Sequence, residues 1–192
     1  MTLRDLQYVP EHLVPVAFTV YRVQRAAARP GTVVVGALKL APAGLLASRF
    51  DLAAHAVGYF AEGPETAVYE SLARREALSL SMSTLGACHL LAVQSTSTLR
   101  LADLRPHAAT WPFLQSLRYS LTQQIAADAV SLGYEGLMYR SAQQHGHDCM
   151  ALFGPALAAV KLVKRLPLVD AAGGLHRAAA NALLGSQVPL VP

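Results

Sequence analysis

The chain has 192 residues, 53% apolar and 15% charged, with a formal net charge of +4 and a pI of about 9.3. This composition excludes a disordered chain and fits one domain with a real hydrophobic core. It also excludes a membrane-spanning helix, which needs about 20 unbroken apolar residues, because Lys39 and Pro42 interrupt the best candidate, residues 33–46.

Residues 1–12 carry Arg4, Asp5 and Glu11 and contain no apolar run, unlike a signal peptide, so the cytoplasm is the expected compartment. The cysteines, Cys88 and Cys149, form no C-x-x-C pair and are expected as reduced core residues. Arginine far outnumbers lysine, and the longest basic runs are the pairs Arg74-Arg75 and Lys164-Arg165. Nucleic-acid binders concentrate charge on one face. Scattered arginines instead suit a bidentate grip on phosphate at a few places.

In chain order, residues 1–15 read as a polar lead-in. Residues 16–23 (VAFTVYRV) are rich in β-branched and aromatic side chains and predict a strand. A turn at Arg29-Pro30-Gly31 precedes a short strand over 33–35, and residues 57–61 predict another. Gly63-Pro64 ends that strand and opens a helix over 65–80, with Glu65 at its positive N-terminus. Glu76 falls on the apolar face of that helix without an evident reason. Strands are predicted over 89–93 and 99–104. A helix over 113–132 carries the stripe Leu114, Leu117, Leu121, Ile125, Ala129 and Leu132, and Gly133 closes it. Strands over 134–139, 149–153 and 159–163 follow, then a tail from 165 with an Ala-rich helix over 175–184 that Gly185 should end. The division is a lead-in (1–15), a domain (16–164) and a tail (165–192) packed on the domain or at an interface.

No G-x-G-x-x-G, P-loop or G-x-S-x-G motif is present. His145, His147, Asp148 and Cys149 have metal-ligand chemistry but lack the second pair a structural zinc site needs, so no metal is expected. What remains is dispersed: Tyr21-Arg22, Ser48-Arg49-Phe50, Tyr59, Glu70 and Tyr139-Arg140-Ser141. Singly, each has a plain reading. Arg22 is a solvated strand residue, Glu70 and Arg74 form a surface pair at i,i+4, and Ser141 starts a turn.

Together, their order resembles the RES-domain family, named for an arginine, a glutamate and a serine. The matching residues are Arg49 in SRF, Glu70 in AVYE and Ser141 in YRS, supported by Tyr21, Arg22 and Tyr59. The resemblance covers roughly residues 16–163. It departs at SRFD, where many members carry a GRWN-type segment, and no counterpart is placed after Lys164.

The resemblance implies an α+β fold, an ADP-ribosyltransferase-like mixed sheet of short strands with packed helices in one domain. It implies a toxin of a bacterial toxin–antitoxin pair that uses NAD+ as substrate and cleaves its nicotinamide–ribose bond. The ADP-ribose goes to water, phosphate or a protein acceptor. The implied partner is an Xre-like helical antitoxin that blocks the active site. Glu70, Ser141 and Arg49 are then the catalytic set, and Tyr21, Arg22, Arg49 and Tyr59 bind NAD+. The chemistry suits the residue types: a fixed carboxylate stabilises positive charge developing on ribose, and arginine forks grip a pyrophosphate. The competing reading is a non-enzymatic basic protein contacting nucleic acid.

Overall fold

The computed structural model describes residues 2–6, 8–116 and 118–191. Its strands and helices, in order, are β1 (Glu11–Val14), β2 (Thr19–Arg25), β3 (Val33–Val35), β4 (Leu38–Leu40), β5 (Val57–Ala61), α1 (Pro64–Ser71), β6 (Leu80–Ser81), α2 (Met82–Gly86), β7 (Cys88–Ser95), β8 (Leu99–Asp103), α3 (Tyr119–Ser131), β9 (Gly136–Arg140), β10 (Asp148–Phe153), β11 (Val160–Pro167), α4 (Arg177–Ser186) and β12 (Leu190–Val191). The fold is α+β. Eight strands form one mixed sheet in the order β1-β8-β9-β10-β5-β2-β7-β11, in which only β8 and β9 pair in parallel.

Two short links make this sheet curl. β1 and β2 stand five places apart, as do β7 and β8. Five spacings in a flat sheet measure about 24 Å. The chain from Val14 to Thr19 reaches at most about 17 Å, and that from Ser95 to Leu99 about 14 Å. One face therefore closes on itself, and its side chains pack as a single cluster: Val14, Val20, Phe60, Val93, Leu101, Met138, Met150 and Leu152. The opposite face carries the larger core under the helices, including Val23, Leu90, Leu137, Tyr139, Ala151 and Phe153. Both faces are covered, so a strand such as Gly136–Arg140 is buried from Gly136 to Tyr139 and shows little alternation.

Helix α1 lies in the middle of the larger core, between β2 and the C-terminal helix α4. Its Thr66, Ala67, Val68 and Tyr69 are all buried. Gly185 lies inside α4, not beyond it, and a Cβ there would meet the Tyr69 hydroxyl at 2.1 Å, so the close approach of α1 requires glycine. The left-handed residue that closes α4 is Gln187, at φ 58°. Asn181 donates to Glu65 Oε1 at 2.6 Å, and β12 pairs with β6, so the tail from 165 packs on the domain.

Several predicted elements differ. The helix over 65–80 stops at Ser71, because the Arg75 amide leaves the helical ladder and donates to Gln143 Oε1 at 2.8 Å. Glu76 is thus not on a helix face; it forms an ion pair with Arg74 at 2.5 Å. The helix over 113–132 divides into a 3-10 turn, Pro112–Gln115, and α3. Within α3, Thr122, Ile125, Ala126 and Ala129 are buried and Leu121 is exposed; Leu117 lies outside the described residues. Gly133 follows α3 at φ 79°, as its position required. The first predicted strand begins only at Thr19, and residues 11–14 of the lead-in are the edge strand β1. Among the described residues no helix is long and apolar enough to cross a membrane.

Candidate active site

The sheet has one weak seam. β2 and β5 share a single register pair, Tyr21 with Ala61, whereas β5 and β10 share five and β2 and β7 seven. The strands splay beyond that pair, and a cavity of about 190 Å³ opens beside the seam. Tyr21, Arg22, Arg49, Tyr59 and Glu70 all line it, together with Arg74 and Gln143. Ser141 stands directly behind Glu70. The structure therefore brings all six sequence-selected residues to one place, although they come from five separate segments of chain.

Glu70 sits in the last turn of α1. Its Oε1 accepts three hydrogen bonds: from Ser141 Oγ at 2.5 Å, the Ala142 amide at 3.1 Å and the Gln143 amide at 3.3 Å. Its Oε2 has no hydrogen-bond partner among the described residues. Ser141 opens the β9–β10 turn for a local reason. Its Oγ accepts from the Gln143 amide at 3.1 Å and the Gln144 amide at 2.9 Å, which nucleates the turn. With its proton given to Glu70 and both lone pairs occupied, this buried hydroxyl has no remaining capacity. The Ser141 hydroxyl thus holds the Glu70 carboxylate in place.

The Arg49 loop is held from two sides. From α3, Thr122 Oγ1 donates to the Arg49 carbonyl at 2.5 Å and Gln123 Nε2 to the Ser48 carbonyl at 3.0 Å. From β5, Tyr59 Oη donates to Asp51 Oδ1 at 2.8 Å and accepts from the Phe50 amide at 3.0 Å. Asp51 Oδ2 closes the turn on the Ser48 amide at 2.8 Å. Burial, then the adjacent Asp51 charge, pushes the Tyr59 phenol far above its ordinary value, so it stays protonated as the donor. Tyr59 thus clamps this loop through its hydroxyl, while its ring lines the cavity. The Arg49 guanidinium lies 5.5 Å from the Tyr139 ring centre and 5.9 Å from that of Phe50, at the outer range of cation–π contact.

Arg22 occupies the seam itself. Its Nη1 donates to the Tyr59 carbonyl at 3.0 Å, an acceptor left open by the splayed strands, and its Nη2 to the Lys39 carbonyl at 3.2 Å. Burial lowers its pKa, opposed by Tyr59 and Tyr139. Among the described residues, four buried side-chain nitrogens or oxygens lack any hydrogen-bond partner: Arg22 Nε, Arg49 Nε, Arg49 Nη1 and Arg74 Nε. All four belong to arginines that line this one cavity.

Sequence reasoning missed Arg74 and Asp51. Arg74 was read as a surface partner of Glu70 at i,i+4; the helix ends first, and Arg74 turns into the cavity beside Tyr119, to whose hydroxyl Nη2 donates at 3.4 Å. Asp51 is the last residue of the SRFD segment, and that departure from the family pattern was its signal. The His145–Cys149 stretch serves the fold. Asp148 binds Arg105 Nη1 at 2.9 Å and also Arg140, and burial, then Glu70, pushes the Cys149 thiol well up. Among the described residues no His, Cys, Asp and Glu are grouped to hold a metal ion.

The comparisons with known proteins agree with this architecture. The RES domain family model matches residues 19–171. The chain belongs to the RES domain family. Among solved structures, a chain of the crystal structure of the M. tuberculosis MbcT–MbcA toxin–antitoxin complex is similar in fold, with a TM-score of 0.58 and 16% identity over 80% of this chain and 85% of that one. No curated protein matches the chain in sequence.

Proposed function

We propose that this protein is an NAD+-consuming toxin of a toxin–antitoxin pair, cleaving the nicotinamide–ribose bond in the cavity between Glu70 and the three arginines. The observation that carries this reading is that, among the described residues, every unpartnered buried side-chain nitrogen lies on Arg22, Arg49 or Arg74. Burying unpaired cationic donors is costly unless an anion meets them, and a pyrophosphate supplies paired acceptors for arginine forks. Opposite them, Glu70 Oε2 faces the positive charge that develops on ribose as the C1′–N bond breaks. The bonding pair leaves on the nicotinamide nitrogen, which becomes neutral, so no general acid is required. The acceptor that closes on C1′ loses its proton. It is water, phosphate or a protein side chain, and mass spectrometry of the products with and without phosphate or lysate separates the three.

NAD+ consumption would arrest growth of the producing cell, which calls for a proteinaceous antitoxin that covers the cavity; the toxin–antitoxin complex with a similar fold favours the same view. The alternative of a basic nucleic-acid binder loses its support from Arg74-Arg75, since Arg74 lines the cavity and pairs with Glu76. The deciding experiment follows nicotinamide release from NAD+ by the wild type and by Glu70→Gln. Equal inertness of the two, alone and with acceptors, would sink the proposal.

A further inference from the structure

Residues 72–77 read Leu-Ala-Arg-Arg-Glu-Ala, an unbroken run of the strongest helix formers, and no glycine or proline stands between 65 and 85. Nothing in the local sequence ends α1 at Ser71, yet it ends there. Local preference and tertiary structure are opposed in this segment, a conflict that natural sequences keep mainly where function requires it.

The opposing contact is Gln143. Its Oε1 accepts from the Arg75 amide at 2.8 Å, which in a continued helix would donate to the Ser71 carbonyl. The Leu72 and Ala73 amides both close on the Val68 carbonyl, at 2.8 and 3.1 Å, and the Ala77 amide closes on that of Arg74, at 2.9 Å. Gln143 is itself buried and fixed, since its own amide donates to Ser141 Oγ at 3.1 Å and to Glu70 Oε1 at 3.3 Å. One residue thus ties the turn beneath the carboxylate to the segment that carries Arg74. The two courses of that segment place Arg74 differently. On a continued helix it stands one turn beyond Glu70 on the same face. In the uncoiled segment it enters the cavity, where its Nε is buried without a partner, as are nitrogens of Arg22 and Arg49. Bringing a third guanidinium with an unmet donor to one cavity is unfavourable without an anion, and the helix preference of 72–77 opposes it as well. The Gln143 contact acts against both.

We infer that Gln143 is a positioning residue for the anion grip: by holding the Arg75 amide off the helical ladder, it sets Arg74 in the cavity. The inference rests on the proposed reading of that cavity as the site of an anionic substrate. Its test compares the wild type with Gln143→Met, which removes the acceptor, Gln143→Glu, which keeps it, Arg74→Met and the double variant Gln143→Met/Arg74→Met, with melting temperatures confirming that each is folded. Carbon chemical shifts of residues 72–77 read the course of the segment. Calorimetric titration with inorganic pyrophosphate reads the arginine wall without any reaction. Nicotinamide release from NAD+ reads KM and kcat.

The expected shifts are non-helical in the wild type and in Gln143→Glu, and helical in Gln143→Met. Pyrophosphate affinity should fall about tenfold in Gln143→Met, the scale of one charged hydrogen bond. It should fall no further in the double variant than in Arg74→Met, because the two substitutions remove the same contact. KM for NAD+ should rise in step while kcat holds, since Glu70 accepts from the backbone amide of residue 143 and not from its side chain. The inference is overturned if residues 72–77 stay non-helical in Gln143→Met, if the two losses add, if kcat falls in place of a rise in KM, or if the wild type binds no pyrophosphate. Failure of the wild type to release nicotinamide refutes the proposed activity alone, and the shifts and the pyrophosphate titration still decide the role of Gln143.

Discussion

The two walls of the cavity are finished to different degrees. On the Glu70 wall, Ser141 has all its hydrogen-bonding capacity used and one carboxylate oxygen holds three donors. On the arginine wall, four buried nitrogens have no partner among the described residues. Among the described residues, the first wall holds its carboxylate in place without a ligand and leaves only Oε2 open, whereas the second leaves its buried donors unmet. Preorganisation on the side where charge develops, with unmet donors on the other, is what a site needs in order to act on an anion whose reacting end becomes cationic.

The contrast can be broken by substitution, and the largest effect falls on Glu70. Glu70→Gln keeps the volume and most hydrogen bonds but removes the charge, and should lower kcat for nicotinamide release by roughly 10²–10³-fold. Next is Arg49→Met, which replaces an unpaired buried cation with an apolar chain of similar length. It should raise KM for NAD+ by about tenfold or more yet increase thermal stability by about 1–3 kcal/mol without ligand. A loss of stability would show that the arginine wall is already satisfied.

Ser141→Ala leaves the Gln144 amide without its acceptor, the Gln143 amide with Glu70 Oε1 alone, and Glu70 without its shortest bond. It should cost about 2 kcal/mol in denaturant unfolding and lower kcat by about tenfold. Both readouts matter, since a purely structural role would leave the kcat of the folded fraction intact.

The smallest effect calibrates a paired region away from the cavity. Burial pushes the Asp103 carboxyl up, but hydrogen bonds from the Arg105 side chain and amide, with the Arg105 charge, outweigh this and hold it below the ordinary value. A depressed folded-state pKa contributes stability that is present above the unfolded value of about 4 and lost as pH falls through the folded one. Unfolding midpoints should therefore drop on acidification below about pH 4. Asp103→Asn should remove about 2 kcal/mol at neutral pH and flatten that dependence.

Much of the site was legible only through the joint order of residues that singly have plain readings. Arg49, Glu70 and Ser141, with Tyr21, Arg22 and Tyr59, were selected because their order resembles the RES-domain family, and the fold gathers them. The parts that were not legible depend on partners distant in sequence. The end of α1 is set by the Arg75 amide finding Gln143, 68 positions on. That displaced end is also what delivers Arg74 to the cavity. Thr122 faces inward because its hydroxyl reaches the Arg49 carbonyl, so the α3 stripe was misread at Leu121. The strands themselves followed from β-branched and aromatic composition. Their order did not, since pairing across the curl joins residues far apart in the chain.

The contact between Gly185 and Tyr69 has a consequence for cooperativity. Tyr69 immediately precedes Glu70, and α4 covers the far side of the helix that carries both. A fragment ending at residue 171 would keep every side chain that lines the cavity and lose the layer that holds α1 down. Amide exchange in α1 should accordingly follow that of α4 as one opening unit, and Gly185→Ala, by pushing on the Tyr69 hydroxyl, should accelerate exchange in both while leaving β9 and β10 protected.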